Sequence, residues 1–354
     1  MSTIRANIVG SGLIAVKKHI PAYIKLKRKV ELTAVCDVNV SAAQSVAGQF
    51  GIPRAYGSVT EMLDRERPSL VDICTPPQTH LSIAMEAIKH GCNVLIEKPM
   101  ALTVPECDRI LEAAKERGVE VCVAHSDLFY APFIRAREAV ARGEIGRFRG
   151  MRIFLSTPTR YMTSQRDHWA HRLPGGVIGE SGPHVVYMTI AFLKNIRKVT
   201  VEGLKLLHDY PWSRFEDYRV TLIGDEGASS ITLTYGTKQW AARVELLGED
   251  GFLVLDLESM TLVRYRRKEL TVVGVGFSLL SETVQMLAAL LRNAAACVLR
   301  KTASTHEVII SQYVESILRK SAPPVSGEEG REAVRILGII AQHLDAREVE
   351  QTVA

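Results

Sequence analysis

The hydrophobic pattern changes its period along the chain. Over residues 1–125, short apolar runs without polar alternation, Arg5–Val9, Glu31–Cys36, Leu70–Cys74, Asn93–Ile96 and Val119–Ala124, are separated by segments of helical period. Unalternating runs rich in Val, Ile and Cys predict strands buried on both faces of a parallel sheet. The patterns at Val59–Arg65, His80–Lys89 and Pro105–Arg117 predict helices, the last with proline in its first turn. Alternation of the two predicts a doubly wound sheet with right-handed crossovers.

After Pro132 the texture changes. A helix over Phe133–Arg142 ends at Gly143, and Gly146 leads into the run Phe148–Leu155. Between Val199 and Val273 the strand-like runs Arg219–Ile223, Ser230–Thr234, Trp240–Leu246, Phe252–Leu257 and Thr261–Tyr265 follow one another. The turns GDEG (224–227) and GEDG (248–251) join some of them as hairpins. The pattern predicts an α+β domain on a predominantly antiparallel open sheet, closed by helices over Leu279–Leu299, His306–Arg319 and Glu328–Leu344. The expected division is a Rossmann-type domain at 1–125 and a second domain at 126–354. Only SAPPVSG (321–327) reads as a linker, and no internal repeat is present.

Composition narrows the class. The 354 residues are 47% hydrophobic and 23% charged, with a net charge of +5, which excludes a disordered chain and gives no clustered basic surface for nucleic acid. Cysteines 36, 74, 92, 107, 122 and 297 form no C-x-x-C pair, as expected of reduced thiols in a cytoplasmic protein. The opening MSTIRANIVGSG lacks the apolar core of a signal peptide. Glu282, Gln285, Arg292 and Asn293 interrupt the apolar stretch Phe277–Leu299, so no membrane span is expected; core or oligomer packing is the plainer role, a membrane-surface role the other.

The candidate chemistry begins at G-S-G-L-I-A, comprising Gly10, Ser11, Gly12, Leu13, Ile14 and Ala15, between a strand and a helical pattern. Gly10 permits the tight turn, Gly12 lets a pyrophosphate approach the backbone, and Ala15 keeps the helix near the sheet. Asp37 ends the second strand, where its carboxylate accepts from an adenosine ribose and repels a 2′-phosphate; Val38-Asn39-Val40 follows with no basic residue. NAD is therefore expected, with NADP as the alternative. Thr75 and Pro76 close the next strand at the ligand-bearing edge. His80 reads equally as a cofactor contact and as a helix-start residue. Glu97-Lys98-Pro99 follows strand NVLI, which puts the charged pair Glu97 and Lys98 at the nicotinamide end as cofactor contacts, with Lys98 either a proton-exchanging group or a surface charge. Glu180 and His184, four apart in GGVIGESGPH, share a face if helical, an arrangement that orients an imidazole to take a hydroxyl proton. The other reading is a structural histidine with a carboxylate partner. Tyr161, His168, Trp169 and Arg172 precede this segment as candidate substrate contacts. Asp167, His168 and His171 match no standard zinc spacing, so no metal is expected.

These motifs, G-S-G-L-I-A, Asp37, C-T-P-P at 74–77 with His80, E-K-P at 97–99, G-E-I-G at 143–146 and G-G-V-I-G-E-S-G-P-H at 175–184, resemble in kind and order the Gfo/Idh/MocA (glucose–fructose oxidoreductase / inositol dehydrogenase) family. The resemblance spans essentially the whole chain. It implies a Rossmann domain, then a sheet domain carrying substrate residues and oligomer contacts, in a homodimer or homotetramer. It further implies hydride transfer between NAD(P) and a secondary alcohol of a sugar, cyclitol or related polyol, with His184 as base and Lys98 assisting proton transfer and positioning substrate. Two positions depart from the family pattern: Glu180 stands where Asp is usual, and Pro77 where Asn is common. A redox-neutral NAD-retaining epimerase, lyase or glycosidase, and a non-catalytic NAD-binding regulator, are the alternative readings.

Overall fold

A computed structural model describes residues 3–267, 269–299 and 302–351. The chain divides into two compact units, one formed by 1–129 with 303–335 and the other by 130–302 with 336–354.

The first unit is built on a six-stranded parallel sheet. Its strands are β1 (Ile4–Val9), β2 (Val30–Cys36), β3 (Arg54–Tyr56), β4 (Leu70–Ile73), β5 (Asn93–Ile96) and β6 (Val121–Val123), in the order β3-β2-β1-β4-β5-β6. The helices α1 (Ile20–Lys25), α2 (Val40–Phe50), α3 (Val59–Glu66), α4 (His80–Lys89) and α5 (Val104–Arg117) connect them. Strand order reverses between β2-β1 and β1-β4, the switch point where doubly wound sheets bind ligand. Ala6, Ile8, Leu70, Ile73, Val94 and Leu95 are wholly buried, as helices on both faces require. Local signals set the helix ends. Asn39 and Ser58 cap α2 and α3 through Ala42 N and Glu61 N, and Thr103 with Glu106 forms a capping box ahead of Pro105. Gly51 and Gly118 end α2 and α5 in the left-handed conformation.

The second unit opens with α6 (Ala131–Ala141) and contains a seven-stranded sheet with α7 (Ile178–Ile190). Its strands are β7 (Phe148–Pro158), β8 (Lys198–Leu204), β9 (Asp217–Ile223), β10 (Ala228–Thr237), β11 (Ala241–Gly248), β12 (Phe252–Asp256) and β13 (Thr261–Tyr265), in the order β13-β12-β11-β7-β10-β9-β8. All pairs are antiparallel except β7 with β10. Inward residues such as Ile153, Leu233, Val244 and Leu255 are buried, while Phe154 and Phe252 stand exposed on the sheet.

Helix α8 (Val272–Val298) follows β13 and differs from its sequence expectation. Three of its polar positions, Glu282, Gln285 and Asn293, align on one stripe facing β13 and the turn before it, while Arg292 is exposed beside that stripe. Gln285 bonds both the backbone N–H and the carbonyl of Arg264, Asn293 donates to Ser259 and Met260 oxygens, and Glu282 accepts from Arg267 and Ser278. The opposite side is apolar and exposed, with Leu280, Val284, Leu287 and Leu291 on it. Among the described residues α8 is the one helix long and apolar enough to cross a membrane.

Two further helices close the chain, α9 (Thr305–Arg319) and α10 (Gly327–Gln351). Residues 303–335 group with the first unit, unlike the continuous division expected from sequence. The reason is local. Tyr313 of α9 is wholly buried and its hydroxyl reaches Glu120 O at 2.8 Å and Val94 O at 3.1 Å. Val325 O accepts from Val123 N at 3.4 Å, and Ser326 bridges Cys122, extending the β6 edge. Arg331 pairs with Asp108 on α5.

Tyr313→Phe removes the hydroxyl that ties α9 to this sheet, while Glu120 O keeps its bond from Val94 N. The expected loss is about 1 kcal/mol of unfolding free energy in a urea titration.

Candidate active site

The tight turn after β1 depends on Gly10. Its φ is +105°, and a Cβ there would stand 2.5 Å from Cys74 O, so no side chain fits between the β1 and β4 ends. Gly12 faces open space, since a Cβ at that position would meet nothing within 4 Å, and Leu13 next to it is 70% exposed. The first helical N–H groups after Gly12 are left without intrahelical partners by helix geometry, which favours an anionic group at this position. Ile14 follows in the first turn, and Ala15 is wholly buried against the sheet. The turn thus fits a dinucleotide pyrophosphate.

Asp37, at the end of β2, is tied to the same turn. One carboxylate oxygen accepts from Ser11 N at 2.8 Å and Ser11 Oγ at 2.7 Å, and the other from Asn39 N at 2.9 Å. Burial works against ionisation, but the Ser11 hydroxyl and the two backbone N–H groups outweigh it and lower the Asp37 pKa. A fixed carboxylate here, with Val38 almost fully exposed beside it, suits a ribose and opposes a 2′-phosphate.

Thr75 and Pro76 lie in the loop after β4, and His80 holds that loop from behind. Its ring is wholly buried, with Nε2 2.9 Å from Thr75 O and Nδ1 3.0 Å from Pro99 O. Burial lowers its pKa, and the two carbonyls, which accept from the ring, pull the other way. The expected cofactor contact is therefore corrected to a brace between the β4 and β5 loops.

Glu97, expected as a cofactor contact, lies in the interior. It is buried at the end of β5, where Oε1 lies 2.8 Å from His19 Nε2 and 3.5 Å from His306 Nε2, while Oε2 accepts from Lys98 N at 3.1 Å. The other His19 nitrogen, Nδ1, lies 2.7 Å from Asp72 Oδ2 on β4. Ionised carboxylates only accept, so both His19 nitrogens donate and the ring is an imidazolium between two anions. Burial opposes that charge, but Asp72 holds the His19 pKa well above its ordinary value. Burial would also raise Glu97, yet hydrogen bonds from His19 and His306 hold it well below the usual carboxylate range. The half-buried Lys98 thus leaves the sheet from a residue fixed at three points.

In the second unit, α7 places Glu180 in its first turn and His184 one turn later, so the i, i+4 arrangement is real despite Pro183 inside the helix. His184 is half-buried and its Nδ1 lies 2.7 Å from the hydroxyl of the buried Tyr187. Glu180 accepts from Ser181 Oγ at 2.7 Å. The short helical turn Trp169–Arg172 lies nearby: burial lowers the His168 pKa, His171 adds to this, and the Glu180 charge opposes it. His168 caps that turn and stacks on the exposed Trp169 at 5.7 Å; Arg172 and Tyr161 are exposed, and Tyr161 packs edge-on to Trp240. His171 reaches the Met162 and Gln165 carbonyls. The Asp72, Cys74, His19, Glu97 and His306 side chains lie close enough for ligand sets of three, but the His19 nitrogens are engaged by carboxylates.

Sequence reasoning missed His19, Asp72, His306 and Tyr187. Tyr187 was within reach, since it stands three residues after His184 on a helix. The others come from a helix, a strand and a distant segment, and no local pattern joins them.

Two models of one family match the chain: the oxidoreductase family GFO/IDH/MocA, NAD-binding Rossmann fold, over residues 4–125, and its C-terminal domain over 133–254. The chain belongs to this family, and its first unit carries the family's NAD-binding Rossmann fold. It is 30% identical over 145 residues to D-glucoside 3-dehydrogenase of Escherichia coli, 41% of each chain. Over 256 residues it is 27% identical to dTDP-3,4-didehydro-2,6-dideoxy-alpha-D-glucose 3-reductase of Streptomyces violaceoruber, 72% of each. The WlbA dehydrogenase of Bordetella pertussis, solved with NADH and UDP-GlcNAcA, superposes with a TM-score of 0.77 at 20% identity over 97% of both chains. The chain spans under half the length of several curated relatives that it matches, 41% and 45% for three of them.

His19→Gln takes the cation from between two buried carboxylates, Asp72 and Glu97, at an expected cost of about 3–5 kcal/mol. The pH dependence is distinctive. Glu97, lowered in the fold, contributes stability above about pH 4.5 and loses it as pH falls through its folded pKa. His19, raised in the fold, contributes fully below about pH 6.5 and loses it as pH rises through its folded pKa. Urea unfolding across pH should therefore show the largest gap between wild type and variant from about pH 4.5 to 6.5, closing on both sides; a gap independent of pH would contradict the charged assignment.

Proposed function

We propose that the protein is an NAD-dependent dehydrogenase that oxidises a secondary alcohol of a sugar, cyclitol or related polyol, with Lys98 and His184 handling the proton. The observation that carries this reading is an ionised Asp37 fixed at a dinucleotide turn of the first unit; in the second unit a half-buried imidazole, His184, held at Nδ1 by Tyr187, supports it. The sugar dehydrogenase and reductase among its relatives support the substrate class.

Gly10, Gly12, Leu13 and Ile14 hold the pyrophosphate, Asp37 the adenosine ribose, and Thr75 and Pro76 line the cofactor further along the sheet edge. NAD, when bound, supplies the hydride acceptor. His184 Nε2 takes the hydroxyl proton, which requires the tautomer whose Nδ1–H donates to the Tyr187 oxygen. The Tyr187 oxygen can accept that N–H and so hold the ring in this orientation, and Glu180 one turn earlier sets the local negative potential. Lys98 donates to the substrate oxygen and steadies its developing charge. His168, Trp169 and Arg172 contact the substrate, with the Trp169 face suited to the apolar side of a sugar ring.

Nicotinamide absorbance, followed with NAD and a panel of sugars, cyclitols and sugar acids, tests the reading. NADH formation with one class supports it; product without net NADH, or bound NAD with no turnover, overturns it. With the active substrate, Lys98→Ala and His184→Ala should each lower kcat about 10²–10⁴-fold while NAD affinity is retained. Tyr187→Phe should lower kcat about tenfold with little change in KM, since one transition-state hydrogen bond's worth of orientation is lost. Asp37→Ala should weaken NAD about tenfold and narrow the NAD over NADP preference.

A further inference from the structure

Helix α8 carries its amphipathic character reversed. Its polar stripe, Ser278, Glu282, Gln285 and Asn293, with the buried Ala289, faces β13, and its apolar side faces out. The outward side is ordered. Val273, Phe277, Leu280, Val284, Leu287, Leu291, Ala294 and Val298 recur at alternating spacings of four and three, a 3.5-residue period sustained over the 27-residue helix. That period defines a straight seam for a second helix, crossing at about 20°. An interfacial lipid-binding helix instead carries a strongly charged side away from its apolar face, whereas α8 has two charged residues, Glu282, which is committed to Arg267, and the exposed Arg292.

The seam also specifies direction. In an antiparallel pair centred between Gln285 and Met286, Val273 meets Val298, Phe277 meets Ala294, Leu280 meets Leu291 and Val284 meets Leu287. The largest side chain thus faces the smallest, as close packing demands. A parallel pair would set Phe277 on its own copy and leave a gap between two copies of Ala294. A stable interface buries about 800 Å² per partner, and seven large seam residues, each more than half exposed, with Leu279 and Leu290 beside them, supply area of that order. The helix is about 40 Å long, enough to present them in one line.

We infer that α8 is a self-association surface on which a second copy of this chain docks its own α8 antiparallel, in an isologous two-fold contact. The full chain in detergent-free buffer should sediment at twice the chain mass. Leu280→Glu/Leu287→Glu, at two exposed positions, should sediment at the chain mass with an unchanged far-UV circular dichroism spectrum. In a Cys297→Ser background, a mixture of Val284→Cys and Leu287→Cys chains should cross-link on mild oxidation, while Val284→Cys alone should not; this arm holds even where the double variant fails to fold. A monomeric wild type overturns the inference, and co-flotation of that monomer with phosphatidylcholine/phosphatidylglycerol vesicles would assign α8 to a membrane. A dimer that survives the double variant overturns it in favour of the open sheet face around Phe154 and Phe252. Self-cross-linking of Val284→Cys overturns the antiparallel register.

Discussion

The first unit turns on one buried cation. His19 lies wholly inside the protein between Asp72 and Glu97, and each of its nitrogens is committed to a carboxylate. Either anion alone at that depth would cost several kcal/mol, and the imidazolium offsets both at once. Three separate elements are fixed by this: the helical turn after the dinucleotide loop, the end of β4 and the end of β5. The consequence for chemistry is positional. Glu97 holds the Lys98 backbone N–H, so the residue proposed to meet substrate departs from a point with no freedom to shift. A buried network of this kind is high-stakes, since it rigidifies only when every member is satisfied.

The same device recurs at smaller scale. His80 links the β4 and β5 loops through two carbonyls, and Asp37 is locked to the turn it serves by Ser11. In each case a polar side chain next to the proposed cofactor path directs its hydrogen bonds to backbone, which fixes loops that carry little apolar burial of their own. In the second unit Tyr187 orients His184 through its hydroxyl. Pre-set orientation matters because misplacement by even an ångström reduces rates strongly.

Much of this was legible in the chain. Unalternating runs gave β1, β2, β4, β5 and β6 because strands covered on both faces need no polar side, and turn residues marked the hairpins of the second sheet. G-S-G-L-I-A with Asp37 was readable because a tight turn and a strand end are local features. The spacing of Glu180 and His184 was readable because helical period brings fourth neighbours together. Less legible were β3, too short at three residues to show a period, and the parallel pairing of β7 with β10, which depends on which strands meet.

By itself, then, the sequence determined the order of elements, the dinucleotide turn and the residue types available for proton transfer, all properties set within a few residues of chain. The tertiary structure decided what no local pattern encodes. It made His80 a brace, put Glu97 in the interior, and returned residues 303–335 to the first sheet so that Tyr313 and His306 serve it. It also turned Glu282, Gln285 and Asn293 of α8 inward and its leucines out, since the side a helix buries is chosen by its neighbours; these three residues interrupt a membrane-like run in sequence and anchor that helix in space.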